Sequence, residues 1–169
     1  LEYKKKAVSA ASLYNQMPKS MKNATYKNGK YYWADPEKMF TGNPAGTLDY
    51  YKNWGIYPKG ILPLAKKYRS GAVDISKQGV SKIESEIRSG NPVIVWATVD
   101  FKNPYGYFSW TKPDGKKFTG YRNYHVMLVT GVSSGAFYVS DPYRGKYSVS
   151  RTQFTSVFNQ TGQYALSVR

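Results

Sequence analysis

The chain has 169 residues, with 25 Lys and Arg against 10 Asp and Glu for a formal net charge of +15, one His and no Cys. Without a thiol these residues hold no disulfide framework, thiolate zinc site, iron–sulfur cluster or cysteine nucleophile, and a lone imidazole builds no multi-histidine metal site; neither metal nor cofactor is expected. A hydrophobic content of 41% argues against disorder, no stretch approaches the roughly 20 apolar residues that span a bilayer, and the length makes one domain, 1–169, the default.

Taken in chain order, residues 1–17 read as a helix with apolar or small residues at Leu1, Ala7, Val8, Ala11 and Leu13, stopped by Pro18. No capping residue precedes Leu1, so the helix is expected to continue from an upstream segment. From Met21 to Thr47 the Asn, Lys, Gly and Tyr content, with turn signals at Asp35-Pro36 and residues 42–46, reads as a long structured loop. Residues 58–69 carry Ile61, Leu62, Leu64, Ala65 and Tyr68 at roughly helical spacing behind Pro58. A third helix is predicted from Ser76 to Ser89, capped by Ser76 or Ser81 and ended by Gly90.

The period then changes. Residues 92–99, Pro-Val-Ile-Val-Trp-Ala-Thr-Val, are the continuous run of a buried central strand. A hairpin turning at Pro113-Asp114-Gly115 follows, then strands at 124–132, 136–140 and 145–150, a short helix at 151–158 and a last strand at 163–168. Helices first and a meandering sheet second is an α+β order, with N-terminal helices packed on an antiparallel sheet.

The chemistry concentrates between His125 and Asp141. The 141 − 125 = 16 separation has the Ser133-Ser134-Gly135 turn near its midpoint, so an antiparallel hairpin returns a carboxylate beside an imidazole. Such an acid fixes the histidine tautomer and stabilises the imidazolium formed when the histidine takes a proton. A satisfied strand-end histidine and an Asp-Pro turn starter would also fit this spacing alone.

The ordered blocks "WADPEKMFTG", "GIYPKGILPLAKKY", "SKIESEIRSGNPVIVWAT", "YHVMLVTGV" and "YVSDPYRGKYSVSRTQF" resemble the bacterial papain-like cysteine peptidases of family thirty-nine, in the stand-alone branch related to the bacteriocin-processing peptidases. The resemblance runs over residues 1–169 and implies a papain-like fold, one peptidase-like domain, and hydrolysis of peptide or isopeptide bonds by a Cys-His-Asp site. It makes His125 the base and Asp141 the orienting acid. The family's Cys, and the Gln before it that serves the oxyanion, have no match here; the resemblance places that Cys about a dozen residues before Leu1, one helix-length upstream. A chain truncated before its nucleophile is therefore expected, inactive by itself, with a natural pseudoenzyme as the rival. Reading Gln16 as the family Gln, with Ala24 where the Cys belongs, fails because residues 25–30 have no apolar helical face. Aromatics in 103–124, with Trp33 and Phe40, either line the cleft or pack the core.

The basic runs at Lys4-Lys5-Lys6, residues 66–69 and residues 112–117 are short and separate, unlike a nucleic-acid module, so no nucleic acid is expected. Peptide or protein substrates are the expected partners, with an anionic cell-wall polymer as a further one, and the composition fits a secreted or cell-surface protein of a Gram-positive type of bacterium. The alternative function is a non-catalytic secreted module binding wall polymer or peptide.

Overall fold

The computed structural model describes residues 8–46 and 49–169. Its elements in chain order are α1 (Ala10–Gln16), β1 (Thr25–Lys27), β2 (Lys30–Tyr32), β3 (Thr41–Gly42), β4 (Asn53–Gly55), α2 (Pro58–Tyr68), β5 (Val73–Asp74), α3 (Gly79–Arg88), β6 (Val93–Thr98), a 3₁₀ turn (Val99–Phe101), β7 (Tyr107–Thr111), β8 (Lys117–Tyr121), β9 (Tyr124–Val132), β10 (Ala136–Asp141), β11 (Gly145–Ser150), α4 (Arg151–Gln160) and β12 (Ala165–Ser167). They divide into two compact units, residues 1–70 with 107–120, and residues 71–106 with 121–169.

In the first unit α1 begins at Ala10, where the Ser9 hydroxyl accepts the Ser12 N–H at 3.1 Å. The expected helix was longer and uncapped; its described part carries its own cap, and Leu1 to Ala7 lie outside the described residues. The expected loop from Met21 onward contains a hairpin. Asn28 and Gly29 take φ of 50° and 75°, the two positive values that a tight hairpin turn requires, and Thr25–Lys27 pairs antiparallel with Lys30–Tyr32. Strands of three residues are too short to display a period, so the Asn-Gly pair was the only local signal.

The first unit's sheet has the order β1-β2-β7-β8. Its inward side is aromatic: Trp110 lies 5.4 Å from Trp33, 5.1 Å from Trp54 and 4.5 Å from Phe118, ring centre to ring centre. Two of these indole N–H groups find acceptors, Trp110 donating to the Ala34 carbonyl at 2.9 Å and Trp33 to the Lys22 carbonyl at 2.5 Å. Asp35 of the Asp-Pro turn is buried, accepting the Glu37 N–H at 3.0 Å and the Lys112 ammonium at 3.2 Å. A Cβ on Gly120 would overlap the Trp54 indole. Gly120→Ala is therefore expected to cost about 2 kcal/mol or more, read as a lowered denaturant midpoint at unchanged slope.

The second unit is a six-stranded sheet of order β11-β10-β9-β6-β12-β5. The continuous apolar run forms β6 near its middle, paired antiparallel with β9 on one side and β12 on the other. Ile83 of α3 and Phe154, Val157 and Phe158 of α4 close one face over Val95, Met127, Val129, Phe137 and Val139. Gly90, at φ 76°, ends α3 as expected, but neither predicted serine caps it. Gln78 holds the cap position without a side-chain bond, and the Ser76 hydroxyl is taken by the Ala165 N–H at 3.1 Å. The α+β class and the order of elements are as the sequence indicates. The helices covering this sheet are α3 and α4.

Candidate active site

His125 is the second residue of β9, and Ala97 of β6 lies directly opposite it. Alternation along β9 buries His125, Met127 and Val129 on one face. Whether Asp141 shares that face depends on the register with β10. Near the turn the pairs are Phe137↔Val132 and Tyr138↔Gly131; after a shift between Tyr138 and Val139 they become Val139↔Val129 and Ser140↔Leu128. Continued at the first register, Asp141 would sit opposite Leu128, on the side away from the imidazole. The bulge adds one residue to β9 and sets Asp141 opposite Met127, on the imidazole's face and diagonal to it.

The result is a buried pair. His125 Nε2 and Asp141 Oδ1 are 3.0 Å apart, and the two residues are 7% and 4% exposed. Oδ1 also accepts the backbone N–H of Tyr143 at 2.6 Å and of Arg144 at 3.3 Å, and the Tyr147 hydroxyl donates to Oδ2 at 3.3 Å. Burial pushes the Asp141 carboxyl up, but the bonds from His125 and from the Tyr143 N–H outweigh it, and its pKa is lowered from the ordinary value. A carboxylate at Nε2 accepts, so Nε2 carries a proton, and in the neutral imidazole the lone pair is on Nδ1. Among the described residues Nδ1 has no hydrogen-bond partner. Such an arrangement can serve as an oriented base.

The turn after Asp141 encloses the pair. The Tyr143 ring stacks on the imidazole at 4.7 Å and 23° while remaining 75% exposed. Burial, then the Asp141 charge, push the Tyr147 hydroxyl up to about 12, so it is a donor at any working pH. Arg144 lies 4.7 Å over the Tyr147 ring and bonds Asp100 Oδ1 at 2.6 Å. That ion pair ties the Asp141–Gly145 turn to the 3₁₀ turn after β6, where Asp100 and Phe101 both adopt positive φ, 58° and 51°. Tyr147→Phe removes a donor to Asp141 Oδ2 and is expected to raise the Asp141 pKa, which a ¹³C titration of the carboxyl checks.

The structure thus brings both predicted site residues, His125 and Asp141, together. The sequence reading did not single out Tyr143, Arg144, Tyr147 and Asp100; the first two are legible in Asp141-Pro142-Tyr143-Arg144-Gly145, an Asp-led turn whose N–H groups return to the carboxylate. Trp33, Phe108, Trp110 and Phe118 lie in the aromatic packing of the first unit. Among the described residues no group of three or more His, Asp or Glu could hold a metal ion, and no helix is long and apolar enough to cross a membrane.

The model of the peptidase C39-like family matches residues 1–166, and the chain belongs to that family. It is 30% identical over 147 residues to the uncharacterized protein YvpB of Bacillus subtilis strain 168, an overlap of 86% of this chain and 56% of YvpB, so the match spans about half the length of that relative. In fold it resembles the crystal structure of a candidate C39-like peptidase from Bacillus anthracis, with a TM-score of 0.79 at 22% identity, over 98% of this chain and 82% of that one. The α+β architecture is the papain-like cysteine-peptidase fold.

Proposed function

We propose that the protein is a cysteine peptidase that hydrolyses peptide or isopeptide bonds, with His125 as general base and Asp141 as the acid that orients it. The observation that carries this reading is the buried Nε2 to Oδ1 contact of 3.0 Å, which leaves Nδ1 as the basic nitrogen. Family membership supports it independently.

The 169 residues contain no cysteine, so in this reading the thiol comes from outside them. His125 takes the thiol proton at Nδ1, the thiolate adds to the scissile carbonyl, and the imidazolium returns that proton to the leaving amine. Water then releases the acyl group, again with His125 as base. Asp141 supplies the negative charge that stabilises the imidazolium through both steps. A secreted or cell-surface location goes with this reading, supported by the high basic charge.

The test is thiol alkylation of the full-length protein with iodoacetamide between pH 5 and 9, wild type against His125→Ala. Faster labelling of the wild type near neutrality is expected. Equal labelling counts against His125 as the activating base, and a full-length protein without any thiol overturns the peptidase reading in favour of a binding role.

A further inference from the structure

The outward side of the first unit's four-stranded sheet takes no part in the pair described above. The registers Thr25↔Tyr32, Lys27↔Lys30 and Tyr32↔Thr111 place these residues on one face, and the hydroxyls of Ser109 and Thr119, 2.7 Å apart, continue it across β7 and β8. Phe108 and Trp110, of opposite parity on β7, point into the core.

Charge on this face is one-signed. It carries Lys27, Lys30 and Lys117, all exposed, and no carboxylate. Asp114, in the adjoining turn, is engaged by Lys112 at 3.6 Å. Lys27 stands directly opposite Lys30, a like-charge cross-strand pair that costs stability where an opposite charge would add to it. Protection of a sheet edge accounts for one lysine on each outer strand but not for the second lysine facing the first.

Two rings complete the surface. Tyr32 is 41% and Tyr107 67% exposed, flanked by the Ser109 and Thr119 hydroxyls. Exposed rings stack against the apolar faces of sugars, hydroxyls exchange hydrogen bonds with sugar hydroxyls, and lysines act as point charges for separate anionic groups, where arginine would fork onto one.

We propose that this face, with Lys27, Lys30 and Lys117 around Tyr32 and Tyr107, is a binding surface for an anionic glycan. Two probes separate the anion: polygalacturonate carries carboxylates on a sugar chain, and dextran phosphate carries phosphates. Neutral dextran and oligothymidylate serve as comparisons.

Binding of the whole chain is measured with two triple variants of equal charge change. Lys27→Gln/Lys30→Gln/Lys117→Gln alters the face; Lys59→Gln/Lys66→Gln/Lys146→Gln alters exposed lysines elsewhere. The face variant is expected to weaken binding of at least one anionic glycan by about tenfold or more and to flatten the salt dependence by about two, while the control stays within about twofold. Tyr32→Ala/Tyr107→Ala is expected to weaken binding without changing the salt slope. The face variant should unfold at or above the wild-type midpoint, because the Lys27–Lys30 repulsion is gone. Equal losses in both triple variants would reduce the effect to net charge and overturn the proposal. So would tighter binding of oligothymidylate than of either glycan, or no measurable binding of either glycan.

Discussion

Asp141→Ala, in the intact protein, is expected to lower peptide-bond hydrolysis by about 10³- to 10⁴-fold. The substitution removes the acceptor that fixes the imidazole tautomer and the charge that supports the imidazolium, and it frees the Tyr143 and Arg144 N–H groups that close the turn. Asp141→Asn keeps an oxygen acceptor without the charge and should fall between wild type and alanine. The carboxyl pKa is lowered in the folded protein, so the stability this group adds is fully present above its ordinary value of 3.8 and is lost as pH falls through the lower folded one. An Asp141→Ala protein that is folded and within a few-fold of wild-type turnover would remove Asp141 from the mechanism.

Glu86→Ala is expected to cost on the order of 3 kcal/mol of stability, the largest loss foreseen away from the His125–Asp141 pair. Glu86 on α3 is 4% exposed and saturated with donors. Oε1 meets Lys82 at 2.8 Å and Arg169 at 2.5 Å; Oε2 accepts from Ser167 at 2.8 Å, Arg169 Nε at 3.0 Å and Asn91 at 3.2 Å. The Arg169 bond, against the cost of burial and helped by Lys82 and Ser167, lowers its pKa to about 2 from 4.5. Its contribution is therefore complete above pH 4.5 and disappears as pH falls toward 2. Since Lys82 and Arg169 are partly exposed, this pH-dependent part is about 2 kcal/mol. Denaturant titrations at pH 7 and pH 3 measure it: Glu86→Ala should differ from wild type much less at the lower pH. An equal difference at both would show that the carboxylate's charge contributes nothing.

The features legible in the sequence were those set by local pattern. The unbroken run at 93–98 had to be a central strand because both its faces are covered, and the turn at Ser133-Ser134-Gly135 had to return Asp141 toward His125. What the pattern did not contain was the bulge. A plain hairpin with this turn would have aimed the carboxylate at the wrong face, and the one local mark of the extra residue, Thr130, is the in-strand Gly131 beside it. The donors around the pair were hidden for a related reason. Tyr147 reaches Asp141 only because β11 pairs with β10, placing Tyr147 opposite Val139. Glu86 finds Ser167 and Arg169 more than 80 residues away, a distance over which side-chain spacing carries no information. The Asn28-Gly29 hairpin was within reach of turn chemistry alone, whereas Ser76, well placed to cap α3, is claimed by β12.

The proposed chemistry requires an imidazole protonated at Nε2, held there by Asp141, with Nδ1 free to take a proton. Because the chain has one histidine, every imidazole signal in a ¹⁵N-histidine-labelled sample belongs to His125. Two-bond ¹⁵N–¹H correlation spectra near neutral pH are predicted to show the Nε2–H tautomer with a strongly downfield Nε2 proton, and Asp141→Ala is predicted to abolish that shift. An Nδ1–H tautomer in the wild type, or an imidazole spectrum unchanged by Asp141→Ala, would contradict it.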